Sequence, residues 1–285
     1  MRATNLIEIQ TPKKLLLNGF WFGPKNPSTA IIWIHGLASS AFSKLGIVEK
    51  LVGRDTAVIT FNNRGSATVN RTRKINPKKK GGMEYVLSGG AHEVFTESID
   101  DIQGAIDFAR KQGAKKIFLA GHSTGAQKST YFAAKKGKNV NGIILLAPMS
   151  DYAGAVKENA KAVKDGVKAA RMLVAAGKKT TIVPGWWTDA QRFLSLYSGE
   201  SAEEVFPYAF LGRVPTTYRA VKVPMLVLLP EEDEYRDRPM REIAAWFAKE
   251  QRSKRFGLEI FKGADHSFTG SEPAVARTIR RWISA

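Results

Sequence analysis

The pentapeptide Gly121-His122-Ser123-Thr124-Gly125 carries the residue type and spacing that nucleophilic catalysis needs. It follows an apolar run at 116–120 that reads as a buried strand, and it opens a helical pattern. A serine on so tight a strand-to-helix turn has its hydroxyl pushed out of the sheet edge. Glycines two positions to either side let neighbouring backbone approach without a Cβ clash. The helix behind the serine turns free N–H groups and a positive dipole end toward developing negative charge. The chemistry this predicts is acyl transfer through Ser123.

A serine needs a base, and the chain offers four histidines. Only His266 follows Ser123, as the order Ser…Asp…His that accompanies such an elbow requires. It stands in Gly263-Ala264-Asp265-His266, a loop between the last strand and the last helix. His122 is expected to point away from the hydroxyl, His35 to shape the loop before Gly36, and His92 lies in a glycine-rich loop. The third member must fix the imidazole tautomer and stabilise the imidazolium. Asp233, shortly after the strand at 225–229, is the favoured residue, with Asp151, just past the preceding strand, as its competitor. Two backbone donors are needed for an oxyanion. The Thr124 N–H supplies one; the Leu37 N–H, aimed by the turn at Gly36, supplies the other.

The elements that must position these residues alternate along the chain. Strand-like stretches fall near 5–10, 14–22, 30–34, 57–61, 116–120, 142–146, 225–229 and 258–261, with amphipathic helical patterns between the later ones. Short apolar strands alternating with helices predict a mostly parallel sheet covered on both faces, an α/β protein. Roughly 75 residues separate the strands at 142–146 and 225–229, far beyond an ordinary crossover. This segment is expected to be a helical cap over residues 151–220, inserted between the sixth and seventh strands. The core is then 1–150 with 221–285.

The first cap helix carries an apolar stripe (Val156, Ala160, Val163, Val167, Ala170, Val174) beside a basic one (Lys157, Lys161, Lys164, Lys168, Arg171). Such a helix could contact an anionic membrane surface weakly, although packing on the core is the favoured expectation. Gly166 weakens its middle and would permit lid movement. Trp186 and Trp187 suggest an apolar acyl or aryl pocket. A second basic cluster, Arg71, Arg73, Lys74, Lys78, Lys79 and Lys80, is expected at the active-site rim, favouring esters with an anionic part.

Composition bounds the rest. Forty-four Lys and Arg against 26 Asp and Glu give a formal charge of +18 over 285 residues. That sets a positive surface potential, yet no nucleic-acid recognition motif accompanies it, so no specific nucleic-acid partner is expected. The absence of cysteine removes thiol nucleophiles, thiolate metal sites and disulfides. Neither a metal nor a cofactor is expected. No apolar run approaches the roughly 20 residues of a membrane span, and without an apolar leader the default address is the cytoplasm.

Across essentially its whole length the sequence resembles the α/β-hydrolase superfamily. The resemblance rests on His35-Gly36, Asn63-Arg64-Gly65, the elbow at 121–125, Leu226-Val227-Leu228 leading to Asp233, and Gly263-Ala264-Asp265-His266. It is most similar to capped carboxylesterases, monoacylglycerol-lipase-like enzymes and feruloyl esterases. The family often has Gly at Pro230 and Asp before the Arg-Gly pair. The resemblance implies an eight-stranded, mostly parallel sheet and hydrolysis of a small-molecule carboxylic ester through an acyl-enzyme. A serine peptidase, thioesterase or perhydrolase would use the same residues. A non-catalytic module binding anionic surfaces would be expected to lack part of the triad.

Overall fold

The computed structural model describes residues 4–285; residues 1–3, the start of the expected core, lie outside them. Ten strands form one sheet: β1 (Thr4–Gln10), β2 (Leu15–Phe22), β3 (Thr29–Ile34), β4 (Thr56–Phe61), β5 (Asn70–Ile75), β6 (Met83–Ser88), β7 (Lys116–His122), β8 (Gly142–Leu146), β9 (Met225–Pro230) and β10 (Phe256–Phe261). Their order is β10-β9-β8-β7-β3-β4-β2-β5-β6, with β1 on β2. From β10 to β4 all neighbours run parallel, while β1, β2, β5 and β6 pair antiparallel.

Strand alternation divides the core between the two faces of this sheet. On β3, Ala30, Ile32 and Ile34 face one cluster, and Ile31 and Trp33 the other. Helices α2 (Ser98–Lys111), α3 (Thr124–Lys136) and α7 (Met240–Glu250) cover the first face with Ile102, Phe132, Ile243 and Phe247. Helices α1 (Leu45–Leu51) and α8 (Glu272–Ser284) cover the second with Ile47, Val48, Val275 and Ile279. Continuous apolar runs form these strands because both of their faces are buried.

The strand count exceeds the expected eight because β5 and β6 form a hairpin from the segment read as a basic loop. Arg71, Arg73 and Lys74 lie on β5, and Lys78, Lys79 and Lys80 at the turn. Only Thr72 and Ser88 bury, bonded to each other at 2.8 Å. The hairpin has no apolar alternation to reveal it, since backbone pairing rather than side-chain burial holds it to the sheet. The Asn63-Arg64-Gly65 motif after β4 anchors its loop to α2. Arg64 is buried on Asp101, with Nη2–Oδ1 2.7 Å, and reaches Asp100 and Glu97 on and before that helix.

Helices α4 (Asp151–Ala175), α5 (Ala190–Tyr197) and α6 (Thr216–Ala220) lie between β8 and β9. The apolar stripe of α4 is only partly covered. Val163 and Ala170 bury, and Val167 packs on a small separate cluster with Val183, Ala190 and Phe193. The basic stripe is exposed, with Lys161 on Asp165 at 2.7 Å and Arg171 on Glu200 at 2.9 Å. Gly166 keeps helical backbone angles within this helix. A Cβ there would collide with the Phe193 ring, so the missing side chain admits α5 at close range. The helix breaks instead at Asn159 (φ −156°, ψ 84°), whose Oδ1 accepts the Ala162 N–H and restarts it. Val205, Phe206, Tyr208 and Tyr218, further along the same segment, belong to the main core.

A buried charge network ties α5 to the core. Arg192 pairs with Glu203 and with Glu93 (3.2 Å), and Glu93 pairs with Lys128 of α3 at 2.6 Å. These side chains are essentially inaccessible, so each charge relies on the others for compensation. No helix among the described residues is long and apolar enough to cross a membrane.

Candidate active site

Ser123 sits between β7 and α3 with φ 56° and ψ −128°, a strained conformation for a residue with a side chain. The flanking glycines are steric requirements. A Cβ on Gly121 would overlap the Gly125 carbonyl, and one on Gly125 would overlap the Ile34 carbonyl. The Ser123 N–H donates to the Leu146 carbonyl at 2.9 Å, fixing the turn against β8.

His266 and Asp233 converge from the loops after β10 and β9. The His266 Nδ1–H donates to Asp233 Oδ2 at 2.7 Å, an assignment forced because a carboxylate accepts. Nε2 is thereby left as the basic nitrogen. Asp233 is 1% exposed, and its other oxygen accepts the Tyr235 N–H at 3.0 Å. The His266 N–H is held by Glu234 Oε2 at 3.0 Å, and the Tyr235 ring stands edge-on to the imidazole at 4.8 Å. Ser123 and His266 line one cavity of about 410 Å³ with Gly36, Leu37 and His122.

The other histidines are occupied. The His122 Nε2–H donates to the His266 carbonyl at 2.8 Å, and burial pushes its pKa down to about 3, so it remains neutral. His35 Nδ1–H donates to the Gly36 carbonyl at 2.8 Å, and burial lowers its pKa to about 4. His92 pairs with Asp189 at 2.8 Å. The N–H groups of Leu37 and Thr124 find no acceptor among the described residues. A Cβ at Gly36 would stand 3.0 Å from the Ser123 Cβ, so only glycine lets the Leu37 loop lie this close.

Asp151, the competing acid, does not bond His266. Its Oδ2 accepts from Gln127 Nε2 at 2.7 Å, and it lines the cavity. Its pKa is pushed up to about 7 by burial and by Glu203. Trp186 and Trp187 do not line the cavity. Trp186 packs on Phe193 at 4.7 Å and Tyr197 at 5.3 Å, one layer behind, and Trp187 is 37% exposed. The rim expectation for the basic hairpin also fails, because none of its six cations lines the cavity. Sequence reading missed Lys44, Glu158 and Tyr235 as lining residues. Asp151, Gly154, Ala155 and Glu158 share helical spacing, which could have signalled a common face. Among the described residues no group of three or more His, Asp or Glu could hold a metal.

The parallel sheet, the turn carrying Ser123 and the loops delivering Asp233 and His266 give the α/β-hydrolase fold. Within that fold the chain belongs to the family described as DUF1749, protein of unknown function, whose model matches residues 92–283. No curated protein matches the sequence. Among solved structures it is similar to the siderophore hydrolase EstB of Aspergillus fumigatus, with 16% identity and TM-score 0.67 over 100% of this chain and 98% of that one. Est1E of Butyrivibrio proteoclasticus, with ferulic acid bound, shares 16% identity at TM-score 0.63, covering 97% of each chain. The Pyrococcus furiosus esterase Pf2001 shares 17% identity at TM-score 0.61 over 99% and 91%.

Proposed function

We propose that the protein is a carboxylic ester hydrolase working through an acyl-enzyme on Ser123. The observation that carries this reading is the 2.7 Å His266–Asp233 hydrogen bond at a cavity that also holds a strained elbow serine. Esterases and a siderophore hydrolase among the structural neighbours support an ester as substrate.

In this mechanism Ser123 Oγ attacks the ester carbonyl carbon while His266 Nε2 takes the hydroxyl proton. The oxyanion that forms is received by the Leu37 and Thr124 N–H groups. Collapse breaks the bond to the alcohol, which leaves with the proton from Nε2. Water then attacks the acyl-enzyme, giving its proton to Nε2, and the acid departs as Oγ recovers a proton. Asp233 holds the tautomer and stabilises the imidazolium.

Residues 151–220 act as the cap, the part from Val205 onward packing into the core formed by the described residues up to 150 and by 221–285. The first turns of α4 roof the cavity, and the core packing of Val205, Phe206 and Tyr218 confines any movement to the part preceding them. A p-nitrophenyl ester chain-length panel on wild type and Ser123→Ala tests the assignment. Turnover by the wild type and a loss of roughly 10³-fold or more in the variant is expected. Activity retained in Ser123→Ala would overturn it.

A further inference from the structure

The first two turns of α4 border the cavity that holds Ser123, and the residues they bring to it are Asp151, Gly154, Ala155 and Glu158. The spacing i, i+3, i+4, i+7 is one face of a helix. Two carboxylates thus stand roughly 10 Å apart along the axis at the 1.5 Å rise per residue, with only small residues between them. Among the described residues Lys44 is the one Lys or Arg lining the cavity, and its charge is already faced by Asp265, Glu234 and Glu272. The cations of the β5–β6 hairpin do not reach this space.

Asp151 has no part in the triad, since His266 bonds Asp233. Gln127 holds its Oδ2, and the same amide nitrogen bonds the Met149 carbonyl at 3.1 Å, so the contact is fixed. Oδ1 accepts no hydrogen bond among the described residues. A carboxylate so placed is short of positive charge: burial and Glu203 oppose its ionisation, and Arg192, His266 and Gln127 only partly offset them. A cation entering the cavity would supply what is missing.

We propose that the ester preferred by this site carries a protonated amine on its acyl or alcohol part, received between Asp151 and Glu158. The inference rests on the ester-hydrolase reading above for its turnover test, but not for its binding test.

Three p-nitrophenyl esters of matched length, the 6-aminohexanoate, heptanoate and adipate, separate the possibilities. They are compared at about 0.15 M salt, where a Debye length of about 8 Å screens the overall positive charge. The expected order of kcat/KM is amine above neutral above carboxylate. Asp151→Asn should lower the amine-to-neutral ratio roughly tenfold, the scale of one hydrogen bond to a charged group. Glu158→Gln should lower it less, because Glu158 is more exposed. Equilibrium binding of n-hexylammonium against n-hexanol to the same proteins needs no turnover. Amine-selective binding that weakens in Asp151→Asn supports the site even if no ester is cleaved. Equal turnover of the amine and neutral esters, with hexylammonium binding indifferent to both substitutions, overturns the inference and leaves the hydrolase reading standing.

Discussion

Replacing Asp233 by Asn tests the proposed mechanism at its most buried point. The carboxylate serves two donors at once, the His266 Nδ1–H at 2.7 Å and the Tyr235 N–H at 3.0 Å. An asparagine has one acceptor and one donor end, so it cannot serve both. With its oxygen toward His266, its NH₂ would oppose the Tyr235 N–H and leave buried donors unpaired, at about 1–3 kcal/mol. With its oxygen toward Tyr235, the NH₂ faces Nδ1, which must then accept. That second arrangement keeps both contacts by moving the imidazole proton to Nε2, the atom required as base. The variant should therefore fold with the wrong tautomer, and triad systems broken in this way lose about 10⁴ in kcat. That corresponds to about 5.5 kcal/mol of transition-state stabilisation at about 1.36 kcal/mol per decade. Steady-state kinetics with p-nitrophenyl butyrate should show the loss in kcat, with KM changing far less. A kcat within tenfold of wild type, in a variant with unchanged near-ultraviolet circular dichroism, would refute Asp233 as the orienting acid.

Gly125→Ala places a Cβ on the Ile34 carbonyl, so the elbow must shift; activity should fall by roughly 100-fold or more, as small misplacements of reacting groups do, and a fully active variant would count against the elbow geometry. Arg192→Met leaves Glu93 and Glu203 buried with Lys128 as remaining compensation; a cost of about 3–5 kcal/mol is expected, read as a fall in melting temperature, and an unchanged melt would refute the network's role. Glu204, beside Ser150, has its pKa raised to about 8, chiefly by burial. Its unfolded form ionises near the ordinary 4.5 while the folded form keeps its proton, so its stabilising contribution falls as pH rises from about 4.5 to 8. Glu204→Gln should therefore gain melting temperature over wild type progressively across that window, and a difference independent of pH would contradict the assignment.

Much of the core was legible because burial on both faces leaves a mark in the chain. The strands β3, β4, β7, β8 and β9 are apolar runs ended by turn residues. Ser123 and His266 were singled out by local context and by chain order. Asp233 was favoured over Asp151, although both follow strand ends on the same edge of the sheet. Side-chain geometry distinguishes them, through the hydrogen bond that only Asp233 makes to His266. The β5–β6 hairpin escaped for the opposite reason: its faces bury almost nothing, so no period of two appears in its apolar residues. The packing role of Gly166 was not legible, because propensity values only what a residue does to its own helix. Here the missing side chain serves the neighbouring helix, where Phe193 occupies the space.

The expectation about charge failed on position. A formal +18 fixes the mean potential at a distance, but a substrate in the cavity responds to the few groups within a Debye length and behind low-dielectric walls. Those groups are set by helix register. The break at Asn159 separates the first turns of α4 from the remainder, so one continuous wheel drawn over 151–175 mixes two registers. Drawn that way, the basic stripe dominates the helix. Taken alone, the first two turns bring an acid, two small residues and a second acid to the cavity of Ser123. The basic stripe lies on the exposed side, where solvent and ions screen it. A protein can therefore be strongly cationic overall and still line a cavity with acidic groups, and the ester panel distinguishes these two scales of electrostatics directly.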